Sequence, residues 1–143
     1  IRVKSFDPGS PEIAEARGRL AEVHMLRGDL APARALIDLA LPVFEGPGRD
    51  ELDHAATLRV AADIRRLQRE FPAAQELYER ALAIHTARGP DDPDACATLV
   101  GLGRLQLERG HPAEATPWFE RAVAVCKNDP RASEGLAQAR RPR

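Results

Sequence analysis

The sequence is short of most features that announce chemistry or a cellular address. Its 143 residues include two cysteines, one methionine, one tryptophan and one tyrosine, and only 4% are aromatic. Two cysteines without CxxC spacing cannot frame a disulfide scaffold, so reduced thiols are the expectation. So few rings leave a core of Leu, Ile, Val and Ala, which suits closely packed helices better than a β-sandwich. No apolar run approaches the roughly 20 residues that span a bilayer, and no secretory signal opens the chain. A soluble, cytoplasmic protein without a membrane partner is therefore expected. Charge of one sign is also missing: the formal net charge is -1 and the pI about 6.5. Nucleic acid is excluded as the main partner, because phosphate binding needs a concentrated basic surface. The closing "ARRPR" reads as a solvated terminus. Finally, there is no GxxxxGK[ST], GxSxG, HExxH or EF-hand loop, so neither an enzyme nor a cofactor is expected.

What is present is repetition. "YERALAIH" at 78–85 returns as "FERAVAVC" at 119–126, and the spacing of 41 residues is general. It relates Ala33, Ala74 and Ala115, then Ala40, Ala81 and Ala122, then Ile37, Tyr78 and Phe119, and in the earlier half of the unit Ala21, Ala62 and Gly103. A fixed period of this length marks stacked supersecondary units, none of which can bury its apolar face alone.

Within a unit the apolar residues recur at helical spacing in two blocks, for example Leu99, Leu102 and Leu105, then Ala115, Phe119 and Ala122. Between the blocks stand "RGD", "QREFP" and "ERGHP", where Gly28 and Gly110 can end a helix and Pro72 and Pro112 can begin one. Gly-, Pro- and Asp-rich stretches separate the units. The alanines recurring seven apart leave room for two helices to approach closely. The predicted architecture is all-α: a right-handed α-solenoid of helix-turn-helix units. Residues 1–9 are the end of a preceding repeat, 10–47, 51–88 and 92–127 are three repeats, and 129–143 form a capping helix and tail. "IRVKSFDPGSPE" matches the end of a second helix plus its loop, so the chain is expected to be part of a longer array.

This pattern resembles the tetratricopeptide repeats, most clearly in "HAATLRVAADIRRLQREFPAAQELYERALAIHTARGPDDPD". It looks like the longer-period variety of kinesin light chains and bacterial signalling proteins. The resemblance implies a scaffold that binds a protein or peptide. Departures narrow the partner. The constellation that clamps acidic chaperone tails is replaced by Gly18, Glu22, Val60, Ala97 and Gly101. Gly18 and Arg19, Arg59 and Val60, and Val100 and Gly101 stand where paired Asn grip a cargo peptide.

First helices line the concave surface of stacked pairs, and a partner would lie across them. The inward positions are Glu15, Arg19 and Glu22, then Arg59, Asp63 and Arg66, then Arg104, Leu107 and Glu108. Arg59, Arg66 and Arg104 are surface anchors for a partner's carboxylates, and Arg59 stands four residues from Asp63, close enough to pair with it instead. Two other roles stay open: self-association through the array ends, and service as the regulatory part of a larger enzyme or transcription regulator. His85, Cys96 and Cys126, with His54 one repeat earlier, fall on one edge, where metal or thiol chemistry is conceivable. With no acidic partner evident, packing cysteines and a solvated histidine are the expected reading. Trp118 and Phe119 belong to core positions.

Overall fold

The computed structural model describes residues 9–45 and 51–142. The expectations for the first eight residues, and for the connector at 46–50, lie outside them. Among the described residues every regular element is helical: α1 (Pro11–Leu26), α2 (Leu30–Phe44), α3 (Glu51–Leu67), α4 (Phe71–Arg88), α5 (Cys96–Glu108), α6 (Pro112–Val125) and α7 (Pro130–Ala139), with a 3-10 turn at Pro93–Ala95 before α5.

The turn inside each pair is the same construction three times. The backbone N–H groups of Asp29, Glu70 and His111 donate to the carbonyls of His24, Arg65 and Gln106, each at 2.8 Å. This closes the last turn of the first helix with a Schellman-type bond. It requires a left-handed residue, and Gly28 (φ 83°) and Gly110 (φ 82°) supply it. In the middle pair Arg69 holds that conformation at φ 64°, its guanidinium 4.9 Å from the Phe71 ring. Pro72 and Pro112 fall in the first turn of α4 and α6. Ser10, Asp92 and Asp129 cap α1, the 3-10 turn and α7 by accepting backbone N–H bonds.

Packing follows the repeat. Ala33, Ala40, Ala74, Ala81, Ala115 and Ala122 are fully buried, as are Ala21 and Ala62. Each helix packs on its successor, and the first helices also touch in sequence: α1 on α3, α3 on α5, α5 on α7. The backbones of the second helices α2, α4 and α6 stand farther apart among the described residues, joined through side chains such as the Arg80–Glu45 ion pair at 2.9 Å. One continuous inner row backed by separated outer helices is an α-solenoid, concave along α1, α3, α5 and α7.

The seams between pairs are matched by size. Ile37 packs in one cluster with Val60. One unit on, the Tyr78 ring lies against Gly101, where a Cβ would overlap Cε1, Cζ and the hydroxyl oxygen. The Phe119 ring lies likewise against Gly103 and Gly135. Gly135 follows Gly101 by 34 residues rather than 41, so α7 takes the place of a first helix after a shorter connector.

The cysteines correct an expectation: Cys96 and Cys126 form a disulfide, with Cα atoms 5.5 Å apart. Their separation of 30 residues is the length of one helical hairpin, so antiparallel packing brings the start of α5 to the end of α6.

Candidate partner-binding groove

The inner row encloses a groove of about 660 Å³, lined from α1 (Glu22, Met25, Leu26), α3 (Arg59, Asp63, Arg66, Leu67), α5 (Arg104, Leu107, Glu108) and α7 (Arg131, Gln138). A smaller depression of about 80 Å³ adjoins it toward the start of α1 and includes Glu15 and Arg19. All eight predicted partner-binding residues thus line these two adjoining hollows. Glu15 and Arg19 are only at the margin, bonded to each other. Counterparts of Arg19 in the 41-residue register are Val60 and Gly101, both buried in the seams.

The groove floor is a continuous polar chain across three helix pairs. Arg59 donates to Glu22 at 2.7 Å and to Asp63 at 3.0 Å. Tyr78, reaching in from α4, donates its hydroxyl to the other oxygen of Asp63. Arg66 donates through Nε to the Tyr78 oxygen at 3.1 Å and through Nη1 to Glu108 at 2.8 Å. Burial raises the Tyr78 pKa well above the ordinary phenol value, and the Asp63 carboxylate adds to it against the opposing Arg66. Tyr78 is therefore a fixed neutral donor. For both arginines burial alone would favour deprotonation. Asp63 and Glu22 outweigh it at Arg59, and Tyr78, Asp63 and Glu108 outweigh it at Arg66, so each pKa is raised.

This geometry revises the roles within the predicted set. Arg66 and Asp63 are buried, with 7% and 8% of their surface exposed, and Arg59 is half-buried. They are structural members of the floor rather than free surface anchors, because each charge is already met by a neighbour. The pairing of Arg59 with Asp63 is present. Arg104, by contrast, is exposed and has no hydrogen-bonded or ion-pair partner among the described residues. Beside it, Arg131 is bound to Asp129 at 2.7 Å. Sequence reasoning missed Met25, Leu26, Leu67, Arg131 and Gln138 in the lining, and Tyr78 beneath it. The signal for Tyr78 was its place in the series Ile37, Tyr78, Phe119, where it alone carries a hydroxyl.

The histidine–cysteine edge also reads differently in three dimensions. Besides the disulfide, His85 is buried, not solvated, and acidic neighbours are present. Asp92 lies 3.4 Å from His85 Nδ1 and accepts from Arg88 Nε at 3.0 Å. Burial would raise the Asp92 pKa, but hydrogen bonds from the Asp94 backbone, His85 and Arg88 hold it below the ordinary value. An Asp129 carboxylate oxygen lies 3.3 Å from Cys96 Sγ, a contact in which a disulfide sulfur has no proton to donate. No cluster of three or more metal-binding side chains occurs among the described residues, and no helix among them is long and apolar enough to cross a membrane.

No curated protein matches the chain. The family model for the tetratricopeptide repeat matches residues 12–87 and, overlapping, 62–128.

Proposed function

Starting from a chain that belongs to the tetratricopeptide repeat family, we propose a non-catalytic protein-binding module whose concave groove takes an extended peptide or helix of another protein. Members of this family generally mediate protein–protein interaction. The observation that carries the groove reading is the imbalance of its charges. Glu22, Asp63 and Glu108 are all engaged by Arg59 and Arg66, while Arg104 stands exposed beside them. An incoming carboxylate can pair with Arg104 without displacing a resident acid. Leu26 and Leu67, both exposed, with Leu107 offer apolar surface within the same hollow. The partner is thus a peptide bearing an acidic residue with a bulky apolar one nearby.

The test is an array of acidic and charge-neutralised peptides probed with the full chain. Arg104→Glu should weaken capture of the acidic peptides at least tenfold, and Arg80→Glu, a change on the outer helix α4, should not. Both residues are exposed, and the surface ion pair of Arg80 with Glu45 contributes little, so melting temperatures should stay close to the parent. Equal capture by the Arg104 variant ends the reading.

A cytoplasmic setting for this module turns on the Cys96–Cys126 bond, because disulfides persist in oxidising surroundings and are rare where thiols are kept reduced.

A further inference from the structure

The repeat sets two acids side by side at the starts of α3 and α5. Asp53 and Asp94 are counterparts in the 41-residue register, and both line a hollow of about 250 Å³. This hollow shares Asp53, Ala56 and Arg59 with the smaller depression described above, and Arg59 also lines the main groove. Its back wall differs from the matching places in the other pairs. Phe44 and Cys126, the counterparts of His85, close their seams with a buried ring and with the disulfide. His85 is also buried, at 4% exposure, and lines the hollow. Its Nδ1 faces Asp92, which is not part of the lining. A carboxylate only accepts, so the ring proton sits on Nδ1 and Nε2 keeps a lone pair. Nε2 has no hydrogen-bond partner among the described residues and is not sealed off from the surface.

We propose that this hollow is a subsite for one cationic side chain, a lysine or arginine, of the peptide that occupies the groove; the proposal rests on the groove reading above. Charge complementarity decides the occupant. Asp94 is exposed, and its carboxylate has no hydrogen-bonded or ion-pair partner among the described residues. Asp53 adds a second acid to the wall. The nearby cations are engaged elsewhere, Arg59 by Glu22 and Asp63 and Arg88 by Asp92. An entering ammonium or guanidinium therefore meets Asp94 and the Nε2 lone pair without displacing a cation from either. The hollow holds one long side chain, with Leu52, Ala56 and Ala97 beside its methylene stem. No group of three metal-binding side chains stands close enough to hold a metal ion among the described residues, so the cation is organic. Ala97 and Arg104 lie on one face of α5, seven residues apart, which is about 10 Å along the helix. An extended peptide covers that distance in about three residues. The partner thus carries a base about three residues from the acid that pairs with Arg104.

The test titrates fluorescent peptides onto the full chain. Each carries Glu and Leu side by side, with Lys, norleucine or a second Glu placed roughly two to five residues from the first Glu, on either side. Lys at about three residues should tighten binding at least about fivefold over norleucine. Asp94→Asn should erase that gain and leave the affinity of the norleucine peptide unchanged. Its melting temperature should stay close to the parent, because Asp94 is exposed. Asp94→Lys should transfer the gain to the peptide with the second Glu. His85→Phe, which installs the residue found at Phe44, should lower the lysine gain as well; if that variant fails to fold, the two Asp94 variants decide. Capture of the acidic peptides without a lysine preference overturns this subsite and leaves the groove reading standing, as does a preference that survives these substitutions in a folded protein. Capture of none of the peptides overturns both.

Discussion

Tyr78 shows how one atom decides what a repeated position does. Its ring occupies the place that Ile37 and Phe119 take in the neighbouring pairs, so its shape serves the seam. Its hydroxyl serves the groove by joining Asp63 to Arg66. Tyr78→Phe keeps the first role and removes the second, leaving a buried carboxylate short of a donor. Urea denaturation should register a loss of roughly 1–3 kcal/mol. An unchanged midpoint would mean that Arg59 and Arg66 satisfy Asp63 by themselves. The residues of this floor were partly legible in sequence. Arg59, Asp63, Arg66 and Glu108 follow from helical spacing, but their burial does not. Burial arises where four helices converge, and the inward positions were counted helix by helix. Aligned instead by the 41-residue register, Arg19 falls with Val60 and Gly101, and its marginal place follows.

Among the elements, the helices and their turns were the most legible part, since Gly and Pro punctuate the pairs and the recurring alanines mark their crossings. Arg69 was less so: nothing in its side chain announces a left-handed backbone, and only alignment with Gly28 and Gly110 reveals it. What fits one pair to the next is the matching of Ile37 to Val60, Tyr78 to Gly101 and Phe119 to Gly135. Gly101→Ala should therefore destabilise. Helix propensity favours alanine by about 1 kcal/mol, but the new methyl meets a ring held on every side. Overpacking of this kind costs about 1–3 kcal/mol. Gly18→Ala is the internal comparison, because its Cβ would lie 3.5 Å from Thr57 Oγ1, an ordinary contact. It should stabilise by up to about 1 kcal/mol. Thermal melts of the two variants should move in opposite directions, and a shared direction would show that the seams tolerate added volume.

At the scale of the whole molecule, the disulfide was hidden because cysteines were judged by their spacing along the chain, while a helical hairpin brings together residues a hairpin's length apart. The bond ties the third pair at its open end, opposite the Gly110 turn. Cys96→Ser together with Cys126→Ser should lower stability by roughly 2–4 kcal/mol, the range for a closed loop of this size. Melting with and without reductant checks it, since the parent should lose the same amount when reduced and the double variant nothing. The two layers have a mechanical consequence of their own. Among the described residues only the inner helices pack backbone to backbone in an unbroken row, while the outer ones are joined through side chains such as Arg80 and Glu45. The softest deformation is then a change of curvature about the inner row, with little change in its length. A guest spanning α1 to α7 would be felt as a bend, and its reach as well as its chemistry would be gauged.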